Sequence, residues 1–334
     1  MASQKRPHLP AAFRQRSNVR ALAFIAYSLT WTVLPVWLAS RAVLLQVDVG
    51  VRAAAVVLLA LLSSHGMHLL AFVGHDGIHL NLHTNKYVSA VLAILASSLV
   101  GSYMVVGYGV THWNHHRMTN GDEDPDAIAY SRCQTFWSRL LLSRIYSSRP
   151  YMRDTLRLAF GLPLHKPLYL PFTEKELRWL ARLNLLASLA WLCVYVAITV
   201  YSPWLGLGSI LLPHVFTYCA TGMRAYVEHA GLGVGPFQDT RSYTSALYTV
   251  LFFGNNYHLE HHLYPMVPCY HLPAIHRYLR QQGAYEGSGA ALEPTITGVF
   301  RYMTARFPHP GPGVPRPSPP TPQSVQPPLE ESST

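Results

Sequence analysis

Imidazole is the side chain best suited to hold a transition metal at neutral pH, and this chain gathers it in three short segments. "GHDGIH" places His75 and His79 four residues apart. "HWNHH" supplies His112, His115 and His116, and "HLEHH" supplies His258, His261 and His262. On a helix, residues at i, i+3 and i+4 share a face, so each segment presents its rings together. A ninth candidate, His229 in "RAYVEHAG", stands by itself. A lone HxxxH is what separate surface or capped histidines also produce. An HxxHH that occurs twice, with an HxxxH upstream, is not. Imidazole-rich sets suit Fe, Zn, Cu or Ni, whereas carboxylate-rich sets suit Mg or Ca. A zinc site fills with about four ligands. Eight or nine histidines are too many for one zinc and match two metals, each in a nitrogen-rich shell.

The elements that must position these rings are apolar. The chain has 334 residues, 50% of them hydrophobic and only 13% charged, against about 25% charged in soluble domains. Residues 19–40, 51–73, 181–201 and 204–226 are each long enough to cross a bilayer, which takes about 20 residues. The last two are separated by a very short turn and form a hairpin. The first run is too long for the apolar core of a cleaved leader and no A-x-A site follows it closely, so it reads as a retained helix. The expected fold is an all-α integral membrane domain. It has four transmembrane helices in two hairpins, interfacial or re-entrant helices, and a cytoplasmic histidine-rich cap. Its expected bounds are residues 19–305, after a basic cytoplasmic N-terminus at 1–18. From about 306 to 334 the chain is Pro- and Ser-rich and is expected to be disordered.

Charge sets the expected orientation. Lys5, Arg6, Arg14, Arg16 and Arg20 precede the first run, and only Arg41 and Arg52 lie in the next loop. The positive-inside rule places the N-terminus and the loop after residue 73 in the cytoplasm, with the C-terminus and the site on the same side. All the histidine segments must reach one face if they share a centre. The apolar run 87–107, with its three glycines, therefore cannot cross once; it must dip in and return or lie in the interface. The net charge of +10 is spread over such loops, so nucleic acid is not an expected partner. The four cysteines stand far apart and form no C-x-x-C pair, so no zinc or iron–sulfur site is signalled.

Other residues could support the centre. Asp76 adjoins His75, and a carboxylate can orient a metal-bound imidazole; a plain helix-end contact is the alternative. Asp122, Glu123, Asp124 and Asp126 could do the same for the second segment, or simply form a solvated turn with Pro125. His65 and His68 share the stripe of His75 and His79, and an ionisable residue at that depth is a functional candidate, although a bond to a neighbouring helix explains it as well. His83 is a spare rather than a ligand, and His214 could face a substrate cavity. Arg224 and Arg241 could meet a polar head group or an acidic partner; snorkelling is the plainer explanation. Phe252, Phe253, Tyr257, Tyr264 and Tyr270 read as core or interfacial belt.

HxxxH, HxxHH and HxxHH set around two membrane hairpins resemble the membrane fatty-acid desaturase superfamily, which includes acyl desaturases, lipid hydroxylases and carotenoid ketolases. The resemblance spans roughly residues 20–280. It implies a di-iron centre, O2 activation and an external ferredoxin- or cytochrome b5-like electron donor. It carries His75, His79, His112, His115, His116, His258, His261 and His262 over as iron ligands, and matches His229 to the extra histidine found before the last box. Similar acyl-CoA desaturases carry an Asn four residues before that histidine, where this chain has Ala225. Glu228, Asn256 or water would then complete the shell. The "DEDPD" after the second box is similar to carotenoid ketolases and some bacterial hydroxylase-like members. The resemblance implies a membrane oxidoreductase acting on a fatty acyl group held on lipid, CoA or acyl carrier protein, with desaturation first and hydroxylation or ketolation second. A histidine-based metal transporter is the rival from another class; it would string its histidines along the spans.

Overall fold

The computed structural model describes residues 6–42, 46–101 and 103–307, and most of them are helical. The expected Pro-rich tail lies outside the described residues from 308 onward. Helix α1 (Asn18–Ala42) packs antiparallel on α2 (Val49–Ile78), which Asp48 caps by accepting from Gly50 N at 2.8 Å. Thirty residues at 1.5 Å each make α2 about 45 Å long, against about 30 Å of bilayer hydrocarbon. The excess carries the last turn, with His75, beyond the apolar zone, and His79 ends the helix as its C-cap.

Helix α3 (Lys86–Ser97) follows, and a single 3-10 turn leads to α4 (Val105–Met118). The two are bent by 109° across the break, and Gly101 supplies the left-handed residue there, with φ +69°. The second histidine segment occupies the last turns of α4. Three short or half-exposed helices come next: α5 (Pro125–Tyr130), α6 (Phe136–Leu141) and α7 (Ser143–Ala159). Helix α7 lies on α4, a contact that Gly107 allows, since a Cβ there would sit 1.9 Å from Tyr151 O.

Helix α8 (Glu174–Tyr201) starts with a capping box between Thr173 and Glu176. Its outer face exposes Leu186, Leu189, Leu192, Val196 and Val200, the surface that lipid would cover. Ser202 turns the chain directly into α9 (Pro203–Gly206), a π turn at Leu207–Leu211, and α10 (Leu212–His229). The run expected as a hairpin at 181–226 is two helical segments joined through Ser202, and α10 packs on α2 and α7. Among the described residues, three helices are long and apolar enough to cross a membrane on their own, Asn18–Ala42, Val49–Ile78 and Glu174–Tyr201; counting the bent α3–α4 pair as one span makes four. The last run falls outside that set because it is broken by the π turn and carries Arg224 and Glu228 near its end.

The remaining elements form the lid over the site. They are α11 (Ala246–Leu251), α12 (His258–Leu263), α13 (Leu272–Gln281) and α14 (Gly298–Tyr302). The structure also departs from a purely helical fold. Strands β1 (Arg241–Tyr243) and β2 (Ala291–Glu293) pair in parallel, with Ser242 opposite Leu292. This ladder fixes Ser242 beneath α12.

Candidate metal centre

All nine histidines converge, and every one is buried or nearly so. They do not share one face as their spacing suggested. They divide into two sets. His75, His79, His112, His116 and His261 bring ligand atoms within 4.8 Å of one another, and so do His115, His229 and His262. His258 joins the second set, its Nε2 being 3.0 Å from His229 Nε2. Helical geometry explains the division. At about 100° per residue, positions i and i+4 are only about 40° apart, while i+3 falls about 60° to the other side. Each i, i+4 pair (75/79, 112/116, 258/262) stays within one set. The i+3 residue of each HxxHH, His115 or His261, crosses to the other.

The side-chain chemistry fits metal ions. His116 Nε2 is 3.0 Å from His112 Nε2 and 3.1 Å from His261 Nε2. Two ligands at right angles, each about 2.1 Å from one ion, would be about 3 Å apart. Both ring nitrogens of His75 and of His79 are buried with no hydrogen-bond partner among the described residues, as are His112 Nδ1, His116 Nδ1 and His262 Nε2. Buried polar atoms are normally paired, and so many orphans in one place call for an ion. In α12, burial first and neighbouring imidazoles second push His258, His261 and His262 well below the usual histidine value of 6.5. All three are neutral at pH 7, the form that ligates a metal.

What holds the rings differs from the expectation in detail. Asp124, not Asp122, supports the second segment: its oxygens lie 2.9 and 3.0 Å from His115 Nδ1, and it also accepts from Asn120 N at 2.8 Å and Asp126 N at 2.9 Å. Asp122 is exposed. Asp76 is 3.8 Å from His75 Nδ1, too far for a hydrogen bond; it accepts instead from Cys269 N at 3.1 Å, tying α2 to the lid. Glu228 pairs with Arg224 at 2.8 Å and stands 3.7 Å from His258 Nδ1. Asn256 Nδ2 donates to Tyr243 O at 2.6 Å and Thr249 Oγ1 at 3.2 Å, and its Oδ1 is buried with no partner among the described residues. His229 Nδ1 donates to Asp239 O at 3.1 Å.

The other candidates lie elsewhere. His65 and His68 pack edge-on against Phe252. His83 Nδ1 accepts from Asn85 N, and His214 donates to Ile210 O. Arg224 and Arg241 are buried rather than snorkelling: Arg224 lies over Phe72 and donates to Asn255 O, and Arg241 lies over Tyr302 and donates to Val227 O. Glu260 and Arg144 went unread in the sequence, whereas Asp126 was among the four acids offered there for the second segment. Asp126 lies within 4.8 Å of the ligand atoms of both His112 and His115, the one carboxylate among the described residues placed between the two sets. Glu260, inside "HLEHH", is fully buried and accepts from Ser242 and Tyr285 at 2.5 Å, with His276 Nδ1 at 2.6 Å. An acid within a box of ligands was its only signal. Arg144 showed none.

A cavity of about 70 Å³ opens against the rings. His75, His112, His115, His229 and His258 form one wall, with Ala225 and Glu228 beside them, and Phe72, Tyr103, Tyr108, Tyr151, Asp126 and Arg144 form the rest.

Paired nitrogen-rich sets at the ends of long apolar helices mark a helical protein with apolar spans and a histidine cluster compatible with metal binding. The chain matches the family described as "Fatty acid desaturase" over residues 51–291, most of its length and all three boxes, and it belongs to that family. Membership makes it an oxidoreductase. No curated protein matches the chain.

Proposed function

We propose that the protein is an O2-dependent di-iron oxidoreductase that desaturates a fatty acyl chain, with its centre on the cytoplasmic side and electrons from a ferredoxin- or cytochrome b5-like donor. The observation that carries this reading is the division of nine histidines into two adjoining sets beside one cavity. His75, His79, His112, His116 and His261 would hold one iron, and His115, His229, His258 and His262 the other. Bound iron supplies the O2 activation needed to remove hydrogen from an unactivated C–H bond. The balance for desaturation is R–CH2–CH2–R′ + O2 + 2 e⁻ + 2 H⁺ giving R–CH=CH–R′ + 2 H2O. The chain's own task is to position and enclose. Helices α2 and α4 fix the i, i+4 pairs, Asp124 orients His115, and the lid held by Glu260 seats His261 and His262. Phe72 and the tyrosines wall the cavity and limit water next to the reacting carbon.

Hydroxylation is the second reading, R–H + O2 + 2 e⁻ + 2 H⁺ giving R–OH + H2O, with further oxidation leading to a ketone. The polar wall of the cavity and the Asp124 contact within "DEDPD" favour it. A transporter is disfavoured because the histidines form one cluster rather than a path. The test is expression with a reductase system under isotopically heavy dioxygen, with the products analysed by mass spectrometry. Loss of two hydrogens without label supports desaturation, and incorporated label supports hydroxylation. No product of either kind would overturn the oxidoreductase reading.

A further inference from the structure

The first residues of α7 place an arginine in the cavity wall outside the close ion pairs of the described residues, with the charge of Asp126 on the same wall. Arg144 lines the 70 Å³ cavity opposite the histidines. It also lines a second cavity of about 10 Å³ that shares Ala71, Tyr103 and Thr221 with the first. Its guanidinium lies 5.0 Å from the ring centre of Tyr103 and 5.4 Å from that of Tyr151. Arg153–Asp154, Arg178–Glu174, Arg224–Glu228 and Arg301–Glu293 are ion pairs among the described residues, and Arg144 is in none of them. The acid on the same cavity wall, Asp126, accepts from Tyr151 at 3.3 Å and is turned to His112 and His115.

The position is built rather than incidental. Gly222 of α10 lets that helix press on the start of α7: a Cβ there would meet Arg144 N at 2.9 Å and Arg144 Cβ at 3.1 Å. The contact fixes the base of the side chain, and the two tyrosine rings fix its head. A guanidinium keeps its charge under all ordinary conditions, and holding it half-buried without a close ion-pair partner is costly. Aromatic faces offset only part of that cost, roughly 0.5–2 kcal/mol per contact. The group that would offset the rest is an anion with planar, two-oxygen geometry.

We infer that Arg144 receives a carboxylate of the substrate, and that the substrate is an anionic acid whose reacting carbon stands within a few bonds of that carboxylate. The cavity's size sets the second half of the statement. At roughly 10–15 Å³ per water-sized group it holds about five such groups. A carboxylate on Arg144 and a carbon facing the histidines fill it. A mid-chain methylene of a long acyl thioester would need neither the charge nor the polar wall. The inference rests on the reading of this cavity as the substrate site, and it turns the general acyl substrate of that reading into a free acid held by its head.

The test uses the detergent-solubilised full chain loaded with iron, with propanoate and methyl propanoate as probes in titration calorimetry. Wild type is expected to bind the acid roughly tenfold or more tightly than the ester, as a charge-assisted pair requires. Arg144→Gln is expected to lose that preference with its iron content unchanged, and Arg144→Lys to keep part of it. Equal binding of acid and ester by wild type, binding of neither, or an undiminished preference in Arg144→Gln overturns the assignment. If Arg144→Gln does not fold, the wild-type ratio and Arg144→Lys still decide. Iron is counted on the same samples. Wild type without iron contradicts the di-iron reading, and the acid-to-ester ratio is read independently of that result.

Discussion

The two histidine sets differ in what stands behind their rings. In the five-histidine set, Nδ1 of His75, His79, His112 and His116 has no partner among the described residues. In the four-histidine set, His115 is backed by Asp124, His229 by Asp239 O, and His262 Nδ1 lies 3.4 Å from Thr119 Oγ1. The difference follows from the elements. Four of the five ligands in the first set are i, i+4 pairs on α2 and α4, and helix geometry alone holds them. The second set collects single residues from α4 and α10 and a pair from the six-residue α12. Such ligands need hydrogen bonds to aim them. Ala225, on the wall of the cavity that both sets line, offers no ligand atom.

The largest expected effects come from removing one ligand of each set. His261→Ala and His115→Ala should each reduce activity to background and cost about one metal per chain, since a crowded shell has no spare nitrogen. Metal analysis beside an activity assay checks this; full activity with normal metal content in either variant would refute the assignment. His229→Ala should behave like His115→Ala, with membrane insertion intact.

Smaller effects should separate the sets. Asp124→Asn should weaken metal binding roughly 10–100-fold, the usual consequence of losing a ligand's orienting partner, and the loss should appear in one site only. Asp76→Asn should leave both sites filled, because Asp76 holds Cys269 N and not a ring. Competition with a calibrated chelator reads both variants, and equal losses from the two sites in Asp124→Asn would erase the distinction. Ala225→Asn offers a further ligand four residues before His229, so it should slow metal release from the second set by a few-fold. A change confined to the first set would mean that Ala225 faces the wrong metal. Labelling probes orientation rather than chemistry. Cysteines at Tyr87 and Asp122, both exposed, should label from the cytoplasmic side in a chain lacking Cys133, Cys193, Cys219 and Cys269. Labelling from opposite sides would require α3 and α4 to cross the bilayer together.

Much of the centre was legible in the sequence because its ligands come in helical boxes. Spacing gave the three clusters, and position after a long apolar run gave His229. The partition between sets follows from the same 3.6-residue period, yet it appears only when a second helix shows which side each ring faces. The choice of Asp124 over Asp122 could not be read from "DEDPD". It depends on the turn that makes Asp124 the N-cap of α5 and buries it under His115. "NNYHLEHH" does not show that Asn256 commits its amide nitrogen to the backbone of β1 and to Thr249 while leaving Oδ1 buried and unpartnered. The parallel pairing of β1 with β2 joins segments about fifty residues apart, and neither three-residue strand has a pattern of its own. Arg144 carries no sequence signal because its role comes from contacts with α10 and the tyrosines, made in three dimensions.

The claim that organises all of this is that the chain holds two metals in two unlike nitrogen shells. Mössbauer spectroscopy of the full-length, iron-loaded protein in its reduced state tests it most directly. Two quadrupole doublets of equal area are expected, one of which is lost in His229→Ala. A single doublet, or one iron per chain in the wild type, would contradict the account.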